Sequence, residues 1–228
     1  MQQLRTLQLG VEGFRSLQQL ANEFGARKDC TGSACRYEFE NGFGMSTFGT
    51  AWTIRRTEWD YFRLRPWRVL ARVETNKDAV TDIEFVAFVG RGRGYLYNKG
   101  LFRGSEWGWL AVAVTVNSER FEHLVTLEKE REGSATRRRG IETGAHGILI
   151  QKPALEIGGG GEGLRVLLAD DASPQSRRIG FDVSLRCATA VLPCTELCQL
   201  APSVWQSYSQ YVRSNGYYAD QPADCAVR

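Results

Sequence analysis

The stretch of sequence that decides the fold is WRVLARVETNKDAVTDIEFVAFVG, from Trp67 to Gly90. Apolar residues occupy alternate positions on either side of its centre: Trp67, Val69, Ala71 and Val73 come first, and Ile83, Phe85, Ala87 and Val89 follow. A period of two is typical of a strand with one buried face. The intervening Asn76-Lys77-Asp78 has the composition of a turn. The stretch therefore predicts two half-buried antiparallel strands separated by a turn.

The same pattern continues on both sides of this stretch. Upstream, Tyr37 and Phe39 alternate with charged residues. Further strands are predicted at residues 49–55, 94–97, 107–116, 147–151, 164–168 and 179–186. Turn residues separate most of these segments, among them residues 170–174.

Helices are predicted near the two ends. Apolar residues recur at spacings of three and four in the segment 10–24, which predicts an amphipathic helix ended by Gly25. A short helix is expected near residues 194–200. Strands and helices do not alternate as they do in a doubly wound nucleotide-binding fold. The sequence predicts an α+β fold with a predominantly antiparallel β sheet or sandwich of about eight or nine strands.

Length and charge indicate one globular domain, residues 1–228. Hydrophobic residues make up 43% of the chain and charged residues 24%, close to the average for globular proteins. The net charge of +3 is too small to argue for a nucleic-acid-binding protein. Residues 118–144 are rich in charge and lack a strand period, so we expect them to form an exposed excursion.

The chain has six cysteines, which are Cys30, Cys35, Cys187, Cys194, Cys198 and Cys225. Their spacing lacks the paired CxxC motifs of a zinc site, and neither histidine lies near them in sequence. The even count and the position of Cys225 near the C-terminus favour disulfide bonds. Local pairing would join Cys30 to Cys35, Cys187 to Cys194, and Cys198 to Cys225, although the sequence does not choose among the possible pairings.

Disulfide bonds favour an oxidising, extracytoplasmic compartment. No apolar run is long enough for a membrane helix, and the first five residues lack the features of a signal peptide. If Met1 is the natural start, the expected location is the cytoplasm. The cysteines favour the alternative, an extracytoplasmic protein whose signal or anchor precedes Met1.

Two arginine groups are candidates for contact with an anion or a partner. Arg91 and Arg93 lie in the segment GRGRGY, which also suits a glycine-rich hairpin turn. Arg137, Arg138 and Arg139 form the densest positive patch, which also suits a solvated loop. The glycine run at 158–163 lacks the lysine of a phosphate-binding loop.

The residues for catalysis are few, and we predict no catalytic, cofactor-binding or metal-binding residue. His123 and His146 are the only histidines, which leaves few ways to build a triad or a histidine-ligated metal site. Carboxylate chemistry would have to use Asp170 and Asp171 with Glu162. Turn formation is the better account of the two aspartates.

Four motifs lie towards the two ends of the chain: Leu9-Gly10-x3-Phe14-x2-Leu17-x2-Leu20-Ala21, Cys30-x4-Cys35-x-Tyr37-x-Phe39-Glu40-Asn41, Cys187-x6-Cys194 and Pro202-x2-Trp205. With these motifs, both ends of the chain resemble a group of bacterial envelope proteins with no assigned activity. Members of the group carry an N-terminal membrane anchor ahead of this region. The resemblance implies that the compartment is the bacterial cell envelope, and it gives no site.

These observations rank three functions. The first is a non-catalytic extracytoplasmic domain that binds a partner protein or envelope component. The second is a hydrolase or carbohydrate-active enzyme with a carboxylate pair, and the third is a nucleic-acid-binding protein that uses the arginine-rich loops.

Overall fold

The computed structural model describes residues 6–43, 67–91, 108–123, 140–143, 147–151, 162–186, 194 and 196–214. The strands are β1 (Arg27–Thr31), β2 (Ala34–Phe43), β3 (Trp67–Asn76), β4 (Ala79–Arg91), β5 (Gly108–Val116), β6 (Gly140–Thr143), β7 (Ile148–Gln151) and β8 (Glu162–Leu168). The named helices are α1 (Val11–Phe24), α2 (Pro174–Gly180), α3 (Leu197–Leu200) and α4 (Pro202–Ser214). Residues 118–123 are also helical.

The strands form one sheet of eight in the order β1-β2-β3-β4-β5-β8-β7-β6. Neighbouring strands are antiparallel except for β5 and β8, which are parallel. The predicted α+β class, the mostly antiparallel sheet, the N-terminal helix and the C-terminal helical region are confirmed. The predicted strands at 49–55 and 94–97 lie outside the described residues.

The turn between β3 and β4 is the one predicted from Asn76-Lys77-Asp78. Lys77 and Asp78 have φ angles of 47° and 61°. Two consecutive residues with positive φ are what a two-residue hairpin of type I′ requires, because that turn matches the twist of the strands. The register of β3 and β4 shifts between Glu74 and Thr75, next to this turn.

One face of the sheet carries the core. Alternate residues of neighbouring strands share that face through the register, as Tyr37, Val73, Ile83 and Val116 do. The helices α1, α3 and α4 contribute buried residues to the same core, among them Leu17 of α1 and Tyr208 of α4, and the partly buried Ile179 of α2 packs against it. The sheet and the helices therefore form two layers, and each layer buries its apolar side against the other.

Charged residues alternate with the core residues and lie on the opposite face of β2, β3 and β4. Arg72 pairs with Glu38 at 3.0 Å and with Glu84 at 3.4 Å, and Arg36 pairs with Glu74 at 2.8 Å. These partners lie opposite each other in the register, and such cross-strand pairs stabilise a sheet by about 0.2–1 kcal/mol each. Hydrogen bonding to Glu74 raises the pKa of the Arg36 guanidinium.

The strand predicted at residues 179–186 is wrong, because the helix α2 occupies the start of this segment. Ser173 caps the helix by accepting a hydrogen bond from the Ser176 amide at 3.1 Å, and Pro174 occupies the first turn. The apolar alternation reflects tight turns that bury Phe181 and Val183 in the core. The helix at the C-terminal end is also longer than expected, since α4 follows α3.

The charged segment 118–144 is described only at its two ends. Residues 118–123 are helical and residues 140–143 form β6, which pairs with β7. Within the described residues, no helix is both long and apolar enough to pass through a bilayer.

A disulfide bond joins Cys30 to Cys35, as the local pairing predicted. The two residues face each other across the β1–β2 hairpin, with Cα atoms 4.1 Å apart. This short distance suits a non-hydrogen-bonded residue pair, the closer of the two pair types in an antiparallel ladder. Cys194 and Cys198 are disulfide-bonded as well, whereas Cys187 and Cys225 lie outside the described residues.

We expect the Cys30–Cys35 bond to be reduced before those of Cys194 and Cys198. Thiol–disulfide exchange requires access to a sulfur atom; Cys30 is exposed, whereas Cys194 and Cys198 are only 2% and 5% exposed. Limited reduction with dithiothreitol, alkylation and peptide mass spectrometry will measure the order. Labelling of Cys194 or Cys198 first would contradict the expectation.

Candidate functional site

The candidate site lies where the two parallel strands end. Val116 of β5 and Leu168 of β8 are paired, and the Asn117 amide donates to the Leu168 carbonyl at 3.0 Å. Each strand leads into helical residues, 118–123 after β5 and α2 after β8. In open sheets with parallel strands, ligands bind beyond the carboxyl ends of the strands.

A cleft of about 520 Å³ opens at this end of the sheet. We call it the strand-end cleft. It is formed by the N-terminal segment 6–10, the turn after β8 and the helix α2, and its polar lining consists of Thr6, Gln8, Asp170, Asp171, Arg177 and Arg178.

Asp170 is held in place by hydrogen bonds in the turn after β8. Its Oδ1 accepts from the Ser118 hydroxyl and from the Asp171 amide, the latter at 2.9 Å. The Asp170 amide donates back to Ser118 Oγ at 2.9 Å. Ser118 and Asp170 thus join the segments that follow the two parallel strands. The bond from the Asp171 amide adds a local contact of the kind that aspartate makes in turns.

Arg177 joins the N-terminal segment to the same turn. Its Nη1 donates to the Leu7 carbonyl at 3.0 Å and its Nη2 to the Asp170 carbonyl at 2.9 Å. Burial lowers the pKa of the Arg177 guanidinium, and the charge of Asp170 opposes that effect. Because both donors bind backbone carbonyls, Arg177 serves mainly to fix the walls of the cleft.

The N-terminal wall is also anchored to the sheet. Leu7 is buried in the core, and Gly10 exchanges two backbone hydrogen bonds with Val80 at the start of β4. In the first turn of α1, a Cβ atom on Gly13 would overlap the Gln8 carbonyl oxygen. The absence of a side chain at Gly13 therefore allows the chain to turn closely from the cleft wall into the helix.

Two charged side chains of the cleft differ from Asp170 and Arg177. The Asp171 carboxylate and the Arg178 guanidinium are exposed, and neither makes a hydrogen bond or ion pair with any residue in the described ranges. The cleft thus combines two charges fixed in the framework with two that remain accessible to a ligand.

A buried carboxylate lies at the same end of the sheet. Asp82 is 8% exposed, and its Oδ2 accepts a hydrogen bond from the Asn117 amide group at 2.8 Å. Arg120 Nη1 lies 3.8 Å from the same oxygen. Burial raises the pKa of Asp82, while Asn117 and Arg120 counteract the shift and Glu74 and Glu84 add to it.

The structure does not bring together the carboxylates considered for catalysis. Glu162 begins β8 and Asp170 follows its end, so about 20 Å of strand separates them. Asp170 and Asp171 are adjacent, but Oδ1 of the Asp170 carboxylate is already bonded to the Ser118 hydroxyl and the Asp171 amide. Within the described ranges, no group of three or more histidine, cysteine or acidic residues is arranged to hold a metal ion.

The arginines predicted to contact an anion or partner fall largely outside the described part of the chain. Arg91 ends β4, and its side chain is not described. Arg93, Arg137, Arg138 and Arg139 lie outside the described residues. The cysteines considered in the sequence are structural where they are described, since Cys30, Cys35, Cys194 and Cys198 are disulfide-bonded.

Arg177 and Arg178 are not among the site residues predicted from the sequence, because the sequence pattern predicts a strand at residues 179–186 and no helix before it. The signal was present in Ser173-Pro174, since a capping residue followed by proline is a common start of a helix. Placing a helix there would have put the two arginines close to Asp170 and Asp171. The contribution of Thr6, Gln8 and Ser118 has no comparable local signal, because their positions depend on the tertiary fold.

Replacement of Gly13 by alanine should destabilise the protein by about 1–3 kcal/mol, since the new methyl group overlaps backbone that is fixed by Leu7 and Gly10. Urea unfolding will measure the change. Ser16→Ala is the matched control, because Ser16 is exposed on the same helix. Equal stability of the two variants would show that the wall is not constrained in this way.

Asp82 should make the protein less stable as the pH rises. Because its pKa is raised in the folded state, its stabilising contribution is complete below the unfolded pKa and is lost as the pH rises through the folded pKa. Asp82→Asn should therefore be more stable than the parent at pH 7 and gain nothing at pH 3. Urea unfolding across this range will test the sign, with the exposed Glu23→Gln as control.

No protein-family model, curated protein or solved structure matches this chain.

Proposed function

We propose that this chain is a non-catalytic extracytoplasmic domain of the bacterial cell envelope that binds a partner protein or envelope component through the strand-end cleft. The observation that carries the proposal is the cleft itself. Its framework is held by Ser118, Asp170 and Arg177, while Asp171 and Arg178 remain accessible.

The disulfide bonds support the compartment. The Cys30–Cys35 pair is consistent with an oxidising environment, and Cys194 and Cys198 are disulfide-bonded too. Reducing systems of the cytoplasm keep most protein thiols reduced. An exposed disulfide such as Cys30–Cys35 would be especially accessible to them.

The contacts within the cleft favour binding over catalysis. A general base must reach the proton that it removes, and its pKa must suit that task. Asp170 instead accepts hydrogen bonds from Ser118 and from the Asp171 amide, and both donors of Arg177 that have described partners bind carbonyl groups. These residues form a fixed frame around a polar cleft, which suits recognition.

The proposal predicts oxidised cysteines and a cleft-specific contact in intact cells. Protein isolated under denaturing, non-reducing conditions should leave Cys30, Cys35, Cys194 and Cys198 unalkylated until reductant is added. A benzoylphenylalanine at Gln8, in the cleft, should form a photo-adduct with an envelope component, and the yield should fall in an Asp171→Asn, Arg178→Gln background.

The same photo-reactive residue at Gln19 is the matched control, because Gln19 is exposed on α1. Alkylation of the four cysteines without reductant would overturn the proposed compartment. Equal adduct yields at Gln8 and Gln19 would overturn the cleft as the binding surface. An adduct yield at Gln8 that the two substitutions do not change would overturn it as well.

A further inference from the structure

We infer that the strand-end cleft binds a small zwitterion, a molecule with one ammonium and one carboxylate group such as a short peptide with free ends. This inference rests on the proposed function and names the class of ligand that the cleft would take. It is carried by the juxtaposition of the accessible Asp171 and Arg178 in one cleft.

The charges of the cleft favour a ligand with both signs. Asp170 and Asp171 lie on the turn after β8, and Arg177 and Arg178 lie on α2, so the formal charges of the polar lining cancel. A simple anion in the cleft would meet two carboxylates, and a simple cation would meet two guanidinium groups. A zwitterion can place its ammonium towards Asp171 and its carboxylate towards Arg178, the residue type that suits planar carboxylate groups.

The division between fixed and accessible charges supports the same ligand class. Oδ1 of Asp170 accepts hydrogen bonds from Ser118 and from the Asp171 amide, and the guanidinium of Arg177 donates to two carbonyl oxygens. Asp171 and Arg178 make no ion pair with each other or with other described residues. Each can therefore form a charge-assisted bond without first losing one to the protein.

The size of the cleft fits a short peptide. Its volume of about 520 Å³ lies within the range of small-molecule sites. An extended chain spans about 3.3–3.6 Å per residue, so the charged ends of a di- or tripeptide lie about 7–10 Å apart. Thr6 and Gln8 also line the cleft and can bond to the amide groups between those ends.

The test is a nuclear magnetic resonance titration of the oxidised, isotopically labelled chain with L-alanyl-L-alanine. We expect saturable shifts at residues 6–8, 170–172 and 177–178, with a Kd on the order of 1 mM because the contacts are open to solvent. N-acetylation or C-terminal amidation of the peptide should each weaken binding about tenfold or more. Added salt should weaken it as well.

Substitutions assign the two ends of the peptide. Asp171→Asn should weaken binding of the free and amidated peptides, and Arg178→Gln should weaken binding of the free and acetylated peptides. Glu23→Gln and Arg15→Gln are matched controls, because both residues are exposed on α1 away from the cleft. All these side chains are exposed, and the spectrum of each variant reports directly whether it remains folded.

Three results would overturn the inference. The first is the absence of a saturable shift up to ~10 mM peptide, at which a 1 mM site would be about nine-tenths occupied. The second is equal binding of the capped peptides, inorganic phosphate or putrescine, and the third is binding that neither substitution weakens. A failed titration together with a cleft-dependent adduct in intact cells would reject the zwitterion and leave the proposed function standing. If neither the peptide titration nor the photo-adduct gives the expected result, both the zwitterion inference and the proposed function are rejected.

Discussion

Seven residue pairs join β5 to β8 in parallel, from Leu110 with Glu162 to Val116 with Leu168. Every other pairing in the sheet is antiparallel, so this is the place where two adjacent strands end side by side. The segments that leave those ends can then bond to each other, as Ser118 does with Asp170. The geometry of the cleft depends on this pairing, because an antiparallel partner for β5 would have carried the turn after β8 to the other end of the sheet.

Around that pairing, hydrogen bonds to other protein groups offset the free-energy cost of burying charged side chains. Arg177 is half-buried, yet its guanidinium binds two carbonyl oxygens. Asp82 is buried and binds Asn117, which also caps the helical residues 118–123 by accepting from the Arg120 amide at 2.9 Å. Charged groups that are buried and bonded in this way hold structure in place, and the charged groups that stay accessible are the exposed ones beside them.

Much of the sheet could be predicted from the sequence because its strands alternate apolar and polar residues, as Trp67 to Val73 and Ile83 to Val89 do. The same signal failed at residues 179–186, where turns after a short helix bury Phe181 and Val183 at a spacing that imitates a strand. Periodicity reports which side chains are buried, and it does not identify the backbone conformation that buries them. The aspartates of the cleft were visible as candidates, but their partners were not.

The cleft escaped prediction for a related reason. Its framework joins Leu7 to Arg177 and Ser118 to Asp170, and nothing local marks any of these as a pair. The order of the strands is also hidden, since β8 lies between β5 and β7 rather than after them in sequence order. Local patterns therefore predict the elements well and the site poorly.

The bond from Arg177 to the Leu7 carbonyl has a consequence for the order of assembly. It connects residues separated by 170 positions. Contacts of such long range form slowly, because the intervening chain must be ordered before they can stabilise anything. A ribosome will therefore release α1 and the first hairpins long before the cleft can form, and the cleft will be among the last parts of the molecule to reach its final structure.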